Sequence, residues 1–245
     1  MVKKSSYHNA YKWVLFAFII LISISSYASD IVSIYDIQFT MSPGFDGTYP
    51  SSYQNKSVTV QGVVTAGSFE NNRIFISSPQ GGAWSALAID GISNRVSMGD
   101  FIEVSGKVSE IMGMTVLTNT NGLRVLSRSH PIPEPINITV YDAIASEAYE
   151  SVLVKISHLT CRRLNNNAFV VAMEDDTGSI NIGNGFMSSL NSDLFIIDGQ
   201  YSYVVGVINY SYNRFSLHPR SFTDIKAVTT GIQTTSWGKI KSLYR

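Results

Sequence analysis

Residues 57–65 read SVTVQGVVT, and residues 151–160 read SVLVKISHLT. Both stretches are rich in β-branched residues, which favour strands. Each begins with the pattern Ser-Val-x-Val, first at Ser57 and again at Ser151. Two strands of the same type in the two halves of a chain are typical of an internal duplication.

The correspondence between the halves continues along the chain. Gly106 and Gly206 occupy similar places inside later apolar strands, and a turn-rich stretch precedes each of these strands, at residues 90–99 and 183–199. A strand that bends sharply to close a small barrel tolerates a residue without a side chain at the bend. The two glycines therefore predict the same barrel-closing strand in each half.

Short runs rich in Val, Ile, Tyr and Phe alternate with clusters of Gly, Asn, Asp, Ser and Pro, which indicates strands separated by turns. In the first half the predicted strands span residues 57–65, 73–77, 83–89, 101–109 and 114–118. In the second half they span residues 151–160, 169–173, 179–182, 201–209 and 214–217. Five strands with an insertion between the third and the fourth are the order of an OB-fold. The sequence therefore predicts an all-β fold of two tandem OB-fold-like, five-stranded Greek-key barrels.

A proline-bearing segment, HPIPEP at residues 130–135, separates the two sets of strands. Proline cannot continue a central strand and favours an extended connector. A short helix or turn is predicted just beyond it, at residues 138–147. The predicted organisation is a signal peptide at 1–28, a first OB-like domain at 29–130, a linker at 131–137, a second OB-like domain at 138–228, and a linker with a C-terminal tail at 229–245.

The N-terminus has the pattern of a secretory signal peptide. Lys3, Lys4 and Lys12 precede or open the apolar run WVLFAFIILISI, and Ala28 ends a stretch of small residues that suits cleavage. The apolar run is about a dozen residues long, whereas a membrane-spanning helix needs roughly 20. We therefore expect a secreted, periplasmic or cell-surface protein without a permanent membrane span.

Removal of the signal peptide changes the charge of the chain. Of its 18 Lys and Arg residues, Lys3, Lys4 and Lys12 are lost, which leaves 15 against 18 Asp and Glu and a net charge of −3. Such a protein is not a general binder of polyanions. Cys161 is the only cysteine, so an internal disulfide is excluded and stability must come from the core.

Motifs for catalysis are missing from the sequence. His130, His158 and His218 are isolated from one another, and the chain has no Gly-x-Ser-x-Gly, Walker-type or Gly-x-Gly-x-x-Gly motif. No cofactor and no enzyme of a familiar class are predicted. The acidic run Glu174, Asp175 and Asp176 has two interpretations: a weak calcium site formed by carboxylate oxygens, or the tight turn that Asp and Gly favour.

An OB barrel binds ligands on the face of its second and third strands and on the loops beside it. Aromatic side chains there would stack on bases, and arginines would contact phosphates. A competing interpretation is that the aromatics pack across neighbouring strands while the arginines solvate loop tips. The candidate ligand-binding residues are Arg162, Arg163, Tyr210, Tyr212, Arg214 and Phe215 in the second half, and Arg73, Phe75 and Trp84 in the first.

Several of these stretches resemble the OB-like domains of bacterial secreted extracellular nucleases, over roughly residues 31–226. The matching stretches include IYDIQFT at 34–40, VSMGDFIEVSGKV at 96–108 and the closing residues 203–225. The resemblance implies the fold and a role in binding. It does not imply hydrolysis, because that family carries its nuclease chemistry in a separate domain that these stretches do not include.

The C-terminal residues 234–245, TTSWGKIKSLYR, resemble the short Trp-Gly-basic-aromatic ends of some exported proteins of Gram-negative-type bacteria, where such ends serve as sorting tags. That resemblance implies contact with secretion machinery. A frayed or docked terminus is the other interpretation of the same residues.

Together these observations favour an exported, non-catalytic tandem OB-fold protein that binds an extended ligand, with single-stranded nucleic acid first and oligosaccharide second. Two alternatives stay open: a cell-surface interaction or scaffold module, and an accessory subunit of an extracellular nuclease encoded elsewhere.

The signal peptide can be tested directly. N-terminal sequencing of the exported protein is expected to begin at Ser29, and Ala28→Arg is expected to block processing because the residue before the cut must be small. An unprocessed N-terminus in the wild-type protein would contradict the prediction.

Overall fold

The computed structural model describes residues 30–44, 47–70, 72–165 and 169–228. The predicted signal peptide and the predicted C-terminal tail lie outside these residues. The described residues from Ile31 to Val228 belong to one compact unit. No helix within the described part of the chain is long and apolar enough to cross a membrane.

The first barrel has five strands that follow a short helix, α1 (Ile34–Gln38). Its strands pair in the order β1-β2-β3-β5-β4, and β4 pairs with β1 to close the barrel. Strands β3 and β5 are parallel, and the other pairs are antiparallel. The strands are β1 (Ser57–Phe69), β2 (Arg73–Ser77), β3 (Ala86–Asp90), β4 (Phe101–Ile111) and β5 (Met114–Ser127).

The second barrel repeats this order. Its closed ring is β7-β8-β9-β11-β10, in which β10 pairs with β7, while β6 and β12 extend the sheet at its edges. A short helix, α2 (Val140–Ala145), and a 3₁₀ turn (Glu147–Tyr149) lead into it. The strands are β6 (Ile136–Ile138), β7 (Leu153–Asn165), β8 (Val170–Asp175), β9 (Gly178–Ile182), β10 (Gln200–Ser211), β11 (Arg214–His218) and β12 (Ile225–Ala227).

The predicted fold class is therefore confirmed: the chain is all-β and consists of two tandem OB barrels. As predicted, the backbone at Gly106 and at Gly206 lies very close to the neighbouring strand. A Cβ on Gly106 would lie 2.7 Å from Leu117 Cγ, and a Cβ on Gly206 would lie 2.7 Å from the backbone carbon of His218. In each barrel the fourth strand thus presses its backbone against the fifth, which a larger residue would prevent.

Two elements differ from the sequence prediction. Ile136 and Asn137, placed in the linker, pair with Val154 and Lys155 as the parallel edge strand β6. β5 continues to Ser127 rather than ending at residue 118. Register shifts in the pairing with β4 accommodate its turn-forming residues, so the strand is not interrupted there. Tertiary pairing therefore extends strands past local turn signals.

A separate hydrophobic cluster joins the two barrels. The first barrel contributes a row of cross-strand neighbours on its outer surface, Phe75, Ala88 and Val116, all fully buried. The second barrel contributes Leu153, Val205 and Val207 from β7 and β10. The face of the first barrel's second and third strands therefore packs against the back of the second barrel, away from solvent.

Aromatic contacts extend this interface. The ring of Phe69 packs edge-to-face on Phe186 at 5.0 Å and on His218 at 4.9 Å between centroids. The next residue, Glu70, donates its N–H to the carbonyl of Gly185 at 2.8 Å. A Cβ on Gly185 would lie only 2.3 Å from the Phe69 ring, so the contact requires glycine at this position.

His218 is part of the same interface. Burial lowers the pKa of its imidazole to about 4, so the ring is neutral. Its Nδ1 accepts from the N–H of Gly185 at 3.3 Å, so Nε2 carries the proton and donates to Ser216 Oγ at 2.9 Å. Ser216 in turn donates to the carbonyl of Asn209. The histidine is a satisfied structural residue between the barrels.

The prediction of Phe75 as a ligand-binding residue is wrong. The ring is fully buried and packs against Phe69 and Phe186, so no base can reach it. Sequence alternation could not separate the two faces of β2, because both are covered in the tandem arrangement.

Truncation of Phe75 tests the interface. We expect Phe75→Ala to lower the free energy of unfolding by about 3–5 kcal/mol, because it leaves a cavity between two packed barrels. Phe222→Ala is the control: that ring is 51% exposed, so its loss should change stability by less than about 0.5 kcal/mol. Urea denaturation measures both, and equal losses in the two variants would contradict the packed interface.

Candidate functional site

A cleft of about 530 Å³ opens on the second barrel, where β9, β10 and β11 meet the segment that precedes the first barrel. Its lining combines two arginines, small polar residues and an aromatic pair. The residues that matter most for its chemistry are Arg163, Ser179, Asn181, Tyr210, Arg214 and Phe215.

Two of the residues that line the cleft, Arg163 and Asn181, belong to one row across the barrel. Arg163 on β7 is opposite Ala172 on β8, Ala172 is opposite Asn181 on β9, and Asn181 is opposite Ser216 on β11. Cross-strand partners share a face, and the alternating residues of these strands fill the barrel core. The row therefore faces outward. Of its members, Arg163 and Asn181 line the cleft, and Asn181 with Ser179 forms a floor of small polar side chains.

Arg163 and Arg214 stand at the edge of this floor. Both are exposed, and neither forms an ion pair with an acidic residue of the described ranges. A β-bulge between Cys161 and Arg163 shifts the register by one residue, so two consecutive arginines point outward. Arg163 turns towards the cleft as a result.

Arg162, the other arginine of the bulge, is engaged elsewhere. Its Nε donates to the carboxylate of Glu174, and its Nη1 donates to Asp198 at 2.7 Å. Two carboxylates offset its charge, so it contributes no net positive potential. It does not line the cleft.

The aromatic pair forms one wall. The rings of Tyr210 and Phe215 lie 4.6 Å apart between centroids and are tilted by 55°. Phe215 also packs against the barrel core. Tyr210 contacts the first barrel at Gly113, between β4 and β5, where an added Cβ would lie 2.5 Å from the Tyr210 Cε1. Tyr212, at the tip of the same hairpin, is 78% exposed and lines a neighbouring cavity instead.

A carboxyl pair lies beside the cleft. Glu147 lines it, and Glu150 is buried behind, where its Oε1 accepts from the N–H of Thr115 at 3.0 Å. Burial raises the pKa of Glu147 to about 7. Burial, and then the neighbouring charge of Glu147, raises the pKa of Glu150 well above its usual range. Near neutral pH this pair therefore retains a proton, which reduces negative charge next to the arginines.

The remaining candidates from the sequence lie outside the cleft. Arg73 pairs with Asp90 at 2.7 Å, and its Nη1 lies 3.4 Å from the sulfur of Met114. Trp84 adopts a φ of 63°, donates its N–H to the carbonyl of Ala148 and packs edge-on against Phe39. The structure brings neither residue to the second barrel's floor.

The acidic turn is held by protein partners. Asp175 accepts from the N–H groups of Thr177 and Gly178 at 2.7 and 3.1 Å, and its other oxygen accepts from the N–H of Val140 at 2.9 Å. Glu174 pairs with Arg162. Asp175 thus joins the β8–β9 turn to the start of α2. Within the described ranges no group of three or more His, Cys, Asp or Glu residues is placed to hold a metal ion.

Sequence reasoning missed Ser179, Asn181 and Glu147. The signal for the first two was available: in GSINI, polar residues alternate with buried Ile180 and Ile182, so they must face outward. Glu147 gave no signal, because its position beside the cleft depends on how the connector packs.

No family model matches this chain, and no curated protein matches it. Among solved structures, a murine DNA-binding protein bound to double-stranded DNA is similar, with a TM-score of 0.36, 8% identity and coverage of 71% of this chain and 98% of that chain. A replication protein A heterotrimer bound to single-stranded DNA has a TM-score of 0.29, 11% identity and coverage of 82% and 56%. Similarities of this strength carry no argument about the ligand of this chain.

The carboxyl pair predicts a pH dependence of stability. Because the folded-state pKa of Glu147 is raised from 4.5 to about 7, the folded state binds more protons than the unfolded state over that window. The stabilisation of the folded state by Glu147 is complete below about pH 4.5 and is lost as the pH rises to about 7. Glu150→Gln is expected to reduce this loss, because an amide can donate to Glu147 without carrying charge.

Urea denaturation at several pH values measures the difference between Glu150→Gln and the wild-type protein. His218 titrates in both proteins, so its contribution cancels. The exposed Glu134→Gln is the control and should follow the wild-type profile. Parallel profiles for Glu150→Gln and wild type would refute the assignment.

Proposed function

We propose that the cleft of the second barrel binds single-stranded nucleic acid. The observation that supports this most is the pair of exposed arginines, Arg163 and Arg214, which have no acidic partner in the described chain and flank a floor of small polar side chains. The extended sugar–phosphate backbone of a single strand would lie along this floor, and its phosphates would contact the guanidinium groups at the edge.

The aromatic wall supplies the second part of the interaction. The flat faces of the bases stack on the rings of Tyr210 and Phe215. Because every base has such a face, binding tolerates any sequence. Ser179 and Asn181 offer hydrogen bonds along the floor. A narrow path of this kind favours a single strand over a duplex, whose bases are already stacked on one another.

Electrostatics limits the affinity. With a net charge of −3 after signal removal, the protein relies on local rather than overall positive charge. Two phosphate contacts on a single strand correspond to a slope of about −1.4 in log K against log salt. The proposed binding is therefore modest and strongest at low ionic strength.

An oligosaccharide is the second candidate ligand, favoured by the amide and hydroxyl groups of Asn181, Asn213 and Ser179. A neutral glycan would bind without the salt dependence of a polyanion. Titration of both ligand classes at two salt concentrations separates the candidates.

We also propose that binding takes place outside the cytoplasm, on the strength of residues 1–28. Delivery to the cell surface through residues 234–245, and an accessory role beside a separately encoded nuclease, are the alternatives. Unchanged localisation after deletion of residues 234–245 would count against the first. An unchanged rate of the nuclease when the purified protein is added would count against the second.

Arginine truncations test the proposed cleft. Arg163→Ala and Arg214→Ala are each expected to weaken binding of a labelled oligothymidylate by about tenfold at low salt, since a hydrogen bond to a charged group contributes about 1.5 kcal/mol. Each should also reduce the salt slope by about 0.7. Fluorescence anisotropy measures both quantities.

Arg95→Ala is the matched control, because Arg95 is also exposed and lies on the first barrel away from the cleft. Its affinity and salt slope should equal those of the wild-type protein. Equal effects of all three variants would indicate general charge attraction and contradict a site in the cleft.

A further inference from the structure

A second cavity of about 610 Å³ lies next to the cleft. Thr48 and Asn213 line both cavities, so these two residues form the ridge between them. The far side of the second cavity belongs to the first barrel, whose β4–β5 hairpin contributes Met112 and Gly113. The two barrels therefore meet along one continuous depression rather than at separate sites.

Close packing holds the hairpin in place. A Cβ on Gly113 would lie 2.5 Å from Tyr210 Cε1 and 2.8 Å from Thr48 Cγ2, so the hairpin tip touches both the aromatic wall of the cleft and the ridge. Gly113 also has a φ of 85°, a backbone conformation that residues with a side chain rarely adopt. The position of the hairpin relative to the cleft is thus set by contact.

The second cavity differs from the cleft in its chemistry. Among the described residues that line it there is no lysine or arginine, and the charged one is Glu110. The carboxylate of Glu110 accepts from the N–H of Ser51 and the hydroxyl of Thr115, both at 2.9 Å. A phosphate would be repelled there. Tyr212 and Met112, 78% and 56% exposed, instead present an aromatic face and a polarisable thioether to an uncharged, flat group.

We propose that the two cavities form one binding groove for a single strand, which runs from the cleft over Thr48 and Asn213 and places its next base between Tyr212 and Met112. This inference rests on the proposed function of the cleft. It gives the first barrel a role in binding through its β4–β5 hairpin, although its own strand 2–3 face is buried. The ligand is accordingly an oligomer, and a mononucleotide or dinucleotide fills only the cleft.

Length dependence is the first test. Octathymidylate is expected to bind about tenfold more tightly than dithymidylate, because one further base stacks in the second cavity and a single stacked base contributes about 1–3 kcal/mol. Equal affinity of the two would overturn the continuous groove while leaving the cleft intact. Absence of binding by either would instead refute the proposed function itself.

Charge changes at Met112 are the second test. Met112→Glu should weaken octathymidylate binding about tenfold and leave dithymidylate unchanged. Met112→Lys should strengthen octathymidylate binding and steepen its salt slope by about 0.7. A gain of affinity cannot result from misfolding, so the lysine variant keeps the test decisive if the glutamate variant is unstable.

Met98 provides the matched control. It lies on the same barrel with a similar exposure, 54%, and lines neither cavity. Met98→Glu and Met98→Lys are expected to leave both affinities unchanged. If the variants at Met98 and Met112 behave alike, or if Met112 affects the two lengths equally, the first barrel is not part of the groove.

Discussion

Burial of one barrel's strand 2–3 face against the other barrel is the constraint on which the rest of the molecule depends. Phe75, Ala88 and Val116 cross three strands of the first barrel as a fully buried row. Removing these apolar side chains from water favours the packed state, and the back of the second barrel supplies the surface that covers them. The tandem is therefore a single packed unit rather than two modules on a flexible linker.

That arrangement makes the two barrels differ in which faces are exposed. The first barrel's strand 2–3 face serves as an interface, whereas the corresponding face of the second barrel carries Asn181 beside Arg163 and Arg214 and remains open. Two barrels of the same topology have two equivalent strand 2–3 faces, and the packing between the barrels buries one of them. In the proposed groove the first barrel takes part only through its β4–β5 hairpin, which projects past the interface.

Titratable groups at the junction respond to pH in opposite directions. Burial keeps His218 neutral, so its contribution to stability decreases as the pH falls from 6.5 to about 4. Burial raises the pKa of Glu147 and of Glu150, so their contribution to stability decreases as the pH rises. Both effects arise because packing two barrels together removes polar groups from water that would be solvated on a single barrel.

The sequence by itself determined the all-β class, the two tandem barrels, the order of the ten barrel strands and the two crowded glycines, because strand periodicity and turn chemistry are local. It also placed Arg163, Tyr210, Arg214 and Phe215 among the candidates. Only the tertiary structure decided that Phe75 is covered, that Arg162 is neutralised and Arg163 is free to face the cleft, and that Glu147 lies beside them. Those outcomes depend on a one-residue bulge and on which barrel face meets the other, and neither leaves a periodic signal in the chain.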